Sequence, residues 1–368
     1  MDELDALLDA LAREPDVGGA GLRAWDAADR YLLDYAAGEF PDALAGEVAV
    51  VDDTHGALTL SALALGAARV RVHQDSVVGE RALARNAEVT GAAGWAPHPL
   101  AAVVTPATSL VLLRMPRSLD RLDAVARAVA RAAGPEVVVL AGGRVKHMTP
   151  TQNEVLATAF DRIDVGHARA KSRIIVAREP RAVEAAEPRR ASVDGVEVVA
   201  VPGVFAGASL DIGTRALLAT FDALPDADRA VDLACGTGIV AVELARRLPR
   251  ARVLACDVSA IAVQSAALTA AANGVAVETR QDDGLSGEAD ASAELVVLNP
   301  PFHAGAAVTT EIAHRLFADA ARVLRPGGEL RVVWNSHLGY RPVLERLVGP
   351  TRQLARGPKF TVTASIRR

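Results

Sequence analysis

A chain of 368 residues, 51% of them apolar, holds material for more than one sizeable core, and two domains are the better expectation than one. A formal net charge of −5 speaks against a uniformly basic nucleic-acid binder, and two cysteines, Cys235 and Cys256, are too few for a disulfide framework or a four-ligand zinc site, so no metal is expected. No apolar stretch reaches the roughly 18 residues that cross a bilayer, and the opening MDELDALLDALAREPD is acidic where a secretory leader is basic and then apolar, so the expectation is a cytoplasmic protein.

In chain order, residues 1–60 carry many carboxylates against Arg13, Arg23 and Arg30 alone. The stretch GEVAVVDDTHGALTLSALALGAARVRVHQDSVVGERALARNAEVTGAAG then alternates β-branched runs with helical ones, and SLVLLRMPRSLDRLDAVARAVARAAGPEVVVLAGG continues the alternation. A basic run, HARAKSRIIVAREPR, closes this half at 167–181. The segment 179–195, EPRAVEAAEPRRASVDG, is charged, rich in small residues and without apolar periodicity, and reads as a linker between a domain 1–178 and a domain 196–368.

The second half repeats the plan more clearly. The strand RAVDLACG leads through a glycine turn into the helix GIVAVELARRL, and the strand ARVLACDVS into the helix AIAVQSAALTAAANG. After these come VAVETRQDDG, the strand in ELVVLNPPFH, a helix near 310–324, and RPGGELRVVW. So many strand–helix alternations predict an α/β fold with a doubly wound open sheet, whose ligands sit at the C-terminal strand ends. The first half lies over the second element for element, an internal duplication. Its motifs have decayed: DLACGTG becomes VDDTHGA with Gly56 as its one glycine, Gln74 stands where the second copy has Asp257, and LNPPFH becomes LRMPRS.

In VDLACGTGIV (231–240), Gly236 and Gly238 let backbone approach a ligand, and the helix start supplies unpaired N–H groups, although any tight strand–helix turn favours glycine. Asp257 ends the next strand, where a carboxylate can accept both ribose hydroxyls; the plainer alternative is that it caps the helix beginning near Ser259. Asp283 in RQDDGL can accept from an adenine amino group, or serve as a turn residue. Pro300 and Pro301 forbid both helix and central strand. The stiff turn they make can present two acceptors, the Asn299 side-chain oxygen and the Pro300 carbonyl, to the two N–H groups of a flat amine. Phe302 can stack on the base that carries that amine. Cys235 fits as a small residue within the glycine turn, and His337 as a turn histidine.

D-x-A-C-G-T-G, then CD, DDG and NPPF in this order resembles the class I S-adenosylmethionine-dependent methyltransferases, and NPPF the amino-group methylators among them. With GVFAGASLDIGTRALL (203–218), RPGGELRVVWNSHLGYRPVLERLVG, GPKFTVTAS, LRAWDAADRYLL (22–33) and the stretch 142–177, nearly the whole chain resembles the tandem-domain ribosomal RNA guanine-N2 methyltransferases. It is nearer to the large-subunit (23S) branch than to the small-subunit (16S) branch, chiefly through LRAWDAADRYLL and NSHLGY.

The resemblance implies two tandem Rossmann-like methyltransferase domains, the N-terminal one degenerate and assisting RNA binding, with S-adenosylmethionine in the second. Carried over by position, Asp232, Ala234, Gly236 and Gly238 line the methionine side of the cofactor, Asp257 holds the ribose and Asp283 the adenine. Asn299, which also borders the cofactor, acts with Pro300 and Phe302 on the target guanine, and LDIGT (210–214) packs over the pocket mouth. His303 serves as proton acceptor or, better, in substrate positioning; Lys359 contacts phosphate, while Phe360 belongs to the core.

The basic C-terminus (Arg341, Arg346, Arg352, Arg356, Lys359, Arg367 and Arg368 against Glu345) favours nucleic acid, unless it only solvates a surface face. The expected partner is ribosomal RNA or a ribosomal subunit, and the duplication makes a monomer the expected state. Adenine N6 or a protein glutamine amide are alternative amines. An inactive RNA-binding module is the non-enzymatic alternative, against which the intact motifs of the second copy stand.

Overall fold

The computed structural model describes residues 3–18, 21–301 and 306–368, without the side chains at 306–309. The chain divides into two compact units, residues 1–187 and 188–368. In the first unit the strands are β1 (Glu47–Val51), β2 (Arg69–His73), β3 (Trp95–Pro97), β4 (Thr108–Arg114), β5 (Val138–Arg144), β6 (Phe160–Val165) and β7 (Ser172–Pro180). They form one sheet in the order β3-β2-β1-β4-β5-β7-β6. It is parallel from β3 to β5, and β7 runs antiparallel to both β5 and β6.

The second unit opens with a hairpin of β8 (Arg189–Val193) and β9 (Val196–Ala200), then β10 (Arg229–Leu233), β11 (Arg252–Asp257), β12 (Glu278–Gln281), β13 (Ala293–Leu298), β14 (Leu324–Asn335), β15 (Thr351–Arg356) and β16 (Phe360–Ile366). The seven strands after the hairpin form a sheet in the order β12-β11-β10-β13-β14-β16-β15. Counted from the start of each sheet, both orders read 3-2-1-4-5-7-6, so the duplication seen in the sequence is a duplication of topology.

The expected linker 179–195 is shorter in the structure. Strand β7 runs to Pro180 and β8 begins at Arg189, leaving 181–188 outside strands. The physical reason is the dipeptide Asp194-Gly195, whose residues both take positive φ (50° and 81°) and close β8 on β9 as a two-residue hairpin.

The strands read as continuous apolar runs because helices cover both faces of each sheet. All five residues of β1 are buried, as are Leu295, Val296, Val297 and Leu298 of β13. Helix Leu119–Ala132 lays Leu122, Val125, Ala126 and Val129 on one face against the first sheet, and helix Ile239–Arg247 buries Val240, Ala241 and Leu244 against the second. Between β10 and β13 the strand order reverses. Such a reversal opens a crevice at the C-terminal strand ends.

One buried charge ties this crevice to the sheet. Arg331, fully buried in β14, donates to Glu329 at 2.6 Å and to the backbone carbonyls of Thr220 (2.6 Å) and Ala223 (2.8 Å). Those carbonyls follow helix Ile212–Leu218, so the guanidinium pins the helix that reaches the crevice. Replacing Arg331 by Met strands Glu329 and two carbonyls in the interior, which costs about 3–5 kcal/mol. Calorimetry should show the melting temperature of residues 188–368 falling by roughly 10 °C in that variant.

Candidate active site

The glycine turn leaves β10 with Ala234 at φ +59°, Gly236 at +53° and Gly238 at +78°. The two glycines differ in their reason. A Cβ on Gly238 would lie 2.7 Å from Ala266 Cα, so this glycine permits close helix packing; a Cβ on Gly236 would meet nothing within 4 Å, so here the backbone borders open space. The Gly236 N–H donates to Asp257 Oδ2 (3.0 Å), and the Ser259 N–H to Asp257 Oδ1 (3.0 Å). The cap of helix Ala260–Ala272 is Ser259 itself, whose hydroxyl accepts from the Ala262 N–H (3.2 Å). Asp257 is therefore a bridge between two strand ends, and the alternative of a simple helix cap falls.

Asp232 is 3% exposed and accepts one hydrogen bond, from the Ala241 N–H (2.9 Å). Burial pushes its pKa up to about 8; the Ala241 N–H opposes the shift, and the charge of Asp257 adds to it. Burial likewise raises the pKa of the thiols of Cys235 and Cys256, which stay protonated and inert, as expected of Cys235.

In RQDDGL the turn is held by Asp282 and not by Asp283. Buried Asp282 locks the turn, accepting from the N–H groups of Asp283 (2.8 Å) and Gly287 (2.6 Å) and from the Ser286 hydroxyl. Asp283 instead turns its carboxylate to Arg315, whose Nη2 donates to both oxygens at 2.8 Å. Arg315 was not anticipated: it lies on helix Ala306–Val323, and nothing in its local sequence sets it apart from other surface arginines.

Asn299 follows the last residue of β13. Its Nδ2 donates to Asp211 Oδ2 (3.2 Å) and Thr214 Oγ1 (2.9 Å). Asp211 caps helix Ile212–Leu218, accepting from the N–H groups of Gly213 (2.9 Å) and Thr214 (3.1 Å). The Asn299 Oδ1 atom is buried and has no donor among the described residues. Pro300 is buried and Pro301 exposed. Phe302 and His303 lie outside the described residues. Lys359 is exposed in the turn between β15 and β16, where its carbonyl accepts from the Ser336 N–H (2.8 Å). Phe360 is half-buried and packs on the core beneath helix Ile212–Leu218, as expected. The structure thus gathers Asp232, Ala234, Gly236, Gly238, Asp257, Asp283, Asn299 and Pro300 at the C-terminal ends of neighbouring strands, with Lys359 at the same end of the sheet but further along it.

Strand register aligns the two copies residue for residue. Val51 pairs with His73 and Leu113 as Leu233 pairs with Cys256 and Leu298, so Gln74 takes the place of Asp257 and Arg114 that of Asn299. Asp26 caps helix Ala27–Glu39 as Asp211 caps its own, and Asp29 matches Thr214. Arg114 donates to Asp26 (3.0 Å), Asp29 (3.2 Å) and Thr54 Oγ1 (2.6 Å), and Thr54 stands at the position of Gly236. One guanidinium therefore runs from the end of β4 to the turn after β1, across the crevice. Arg121 adds a second tie, to Asp52 (2.8 Å), at the position of Ala234. Burial raises the Asp29 pKa to about 6 against the pull of Arg114. Residue types alone do not reveal that Arg114 of LRMPRS ties the strand ends together in this copy.

In the second unit the approachable backbone at Gly236, the bridging carboxylate Asp257 and the buried carboxyl Asp232 suit a nucleoside with a cationic amino-acid arm. Fold and site together define an S-adenosylmethionine-dependent methyltransferase of class I. Residues 195–364 match the Methyltransferase small domain, and residues 4–181 the RLMG N-terminal domain. Ribosomal RNA large subunit methyltransferase G of Streptomyces avermitilis is 37% identical over 98% of this chain and 97% of its own length, and that of Streptomyces coelicolor 38% identical over 97% of each. The chain belongs to the ribosomal RNA large subunit methyltransferase G family. The solved T. thermophilus 16S rRNA N2 G1207 methyltransferase, in complex with AdoMet and guanosine, shares the fold with a TM-score of 0.78, at 22% identity over 97% of this chain and 100% of that one.

A buried carboxyl of raised pKa makes the binding of any cation beside it depend on pH. A cationic ligand group brought next to Asp232 would favour the ionised form and release the proton that Asp232 holds below pH about 8. Affinity for S-adenosylmethionine should rise between pH 6 and 8, by up to about tenfold per unit, and level off above. Isothermal titration across this range checks it, and Asp232→Asn should bind weakly with a flat profile.

Proposed function

We propose that this protein methylates the exocyclic N2 amine of a guanine in ribosomal RNA, 23S rRNA being favoured, with residues 196–368 carrying the reaction and residues 1–178 supporting RNA binding. The observation that carries the reading is the Asn299 amide: its Oδ1 is an acceptor without a donor among the described residues, at the head of a turn stiffened by Pro300 and Pro301.

An exocyclic purine amine is a poor nucleophile because its lone pair is drawn into the ring. It needs positioning more than a strong base, since the methylated nitrogen sheds its proton readily. Asn299 Oδ1 and the Pro300 carbonyl take the two N–H groups, which holds the nitrogen in place and draws its lone pair out of conjugation. By resemblance, Phe302 is assigned to stacking on the base, and His303 and Lys359 to contacts with the RNA substrate. S-adenosylmethionine, when bound, supplies an electrophilic methyl group. Asp232, Ala234, Gly236 and Gly238 border its methionine end, and Asp257 takes the ribose. Asp283, its carboxylate braced by Arg315, takes the adenine amino group.

In the first unit Arg114 fills the crevice, which supports a copy without cofactor. Its rim carries Arg144, Lys146, His147 and Lys171, with Lys171 tied to Val145 by a backbone hydrogen bond (3.0 Å). The pKa of His147 is lowered by desolvation and by Arg117, Lys146 and Arg144, as befits a cationic edge suited to phosphates. The names of the relatives favour the large subunit, and the guanosine in the T. thermophilus complex favours guanine as the base.

The test is labelled S-adenosylmethionine with rRNA and ribosomal subunits from cells lacking the protein, followed by digestion to nucleosides. N2-methylguanosine in 23S rRNA is the expected product; label on adenosine or in protein would sink the guanine assignment. Asn299→Ala should lower kcat by about 10²–10³-fold with cofactor affinity unchanged.

A further inference from the structure

The Asn299 side chain is of use as an acceptor only if its oxygen, and not its nitrogen, faces the substrate. The two ends of a carboxamide are nearly equal in size, so shape alone does not choose between them. We propose that Asp211 and Thr214 are positioning residues that make this choice: as paired acceptors they claim the Asn299 NH2 group and so turn Oδ1 toward the target amine. The inference rests on the role given to Asn299 above and extends it to the helix Ile212–Leu218.

The geometry is direct. Asp211 Oδ2 lies 3.2 Å and Thr214 Oγ1 2.9 Å from Asn299 Nδ2. A flipped amide would set its oxygen 3.2 Å from a carboxylate oxygen that has no proton to give, a repulsive contact. Asp211 is itself held by the N–H groups of Gly213 and Thr214, so its Oδ2 does not swing away. Gly213 leaves room beside the oxygen: a Cβ there would sit 3.5 Å from Asn299 Oδ1 and 3.2 Å from Phe360 Cε1. Behind the helix, Arg331 grips the carbonyls of Thr220 and Ala223, so the acceptor pair is anchored to β14.

The first unit supplies an independent comparison. Its helix start again offers an acceptor pair, Asp26 and Asp29, to the residue after the fourth strand, at the same sequence separations of 88 and 85 residues. There the recipient is Arg114, a group with donors only, and both acceptors are carboxylates. In the second unit a hydroxyl stands in place of one carboxylate and an amide in place of the arginine, and of the two recipients only the amide has a free acceptor left once its donors are taken.

Asp211→Gly keeps a tolerated helix cap and Thr214→Val keeps shape, so the double variant removes both side-chain acceptors with little disturbance of the fold. The expected result is a kcat lowered about tenfold or more, since the amide now turns its donors to a donor. The Kd for S-adenosylmethionine and the KM for RNA should stay near wild type. Thr214→Ser, which retains the hydroxyl, should keep full kcat. Wild-type kcat in the folded double variant, with Asn299→Ala inactive, would overturn the positioning role and leave the grip of Asn299 standing; an active Asn299→Ala would remove the reading beneath it. A second readout needs no turnover and only one substitution. In 15N-asparagine-labelled protein the Asn299 side-chain NH2 should exchange with solvent faster in Thr214→Val than in wild type, and equal rates would overturn the proposal.

Discussion

The parallel pairing of β13 with β10, Leu298 beside Leu233, is the contact on which the rest of the molecule depends. It ends both strands at one level, so that the glycine turn after Leu233 and the proline turn after Leu298 open into one crevice. The pairing is held by side chains that are buried on both faces of the sheet, which is why these strands carry unbroken apolar runs. The candidate site gathers at the strand ends, where backbone leaves the ladder and its N–H and C=O groups become available.

The same scaffold spans its strand ends differently in its two copies. In the second unit the Asn299 Oδ1 has no donor among the described residues, the backbone at Gly236 borders open space, and burial holds the Asp232 carboxyl well above the ordinary range. In the first unit Asp53 accepts from the N–H groups of Gly56 (3.2 Å) and Thr59 (2.8 Å), and Arg114 donates to Asp26, Asp29 and Thr54 together. That copy also keeps buried polar atoms without a partner among the described residues, Asp29 Oδ1 and Gln74 Nε2, so what sets the copies apart is the guanidinium that ties the strand ends, not complete satisfaction.

Much of this was legible in the sequence because the causes are local. Apolar runs bounded by turn residues marked the strands, DLACGTG and NPP marked the turns, and self-similarity marked the duplication. The misreadings have local causes too. The linker 179–195 exceeds the segment outside strands, 181–188, because Asp194-Gly195, a hairpin dipeptide, sits inside a charged stretch that otherwise looks unstructured. The role split between Asp282 and Asp283 was invisible because adjacent identical residues differ only in which way the turn points them.

By itself, then, the sequence determined the fold class, the repeat, the two turns and the family, since each follows from residue types at short spacing. Only the tertiary structure decided which partners the Asn299 amide meets, which aspartate meets Arg315, why Gly236 and Gly238 are glycines for different reasons, and how Arg114 ties the strand ends of the first copy. Each of these rests on contacts between segments far apart in the chain, 85 and 88 residues for the acceptors of Asn299. Such contacts exist only once the sheet has brought its strand ends together, and hydrogen-bond direction and burial take their values from that meeting rather than from any local pattern.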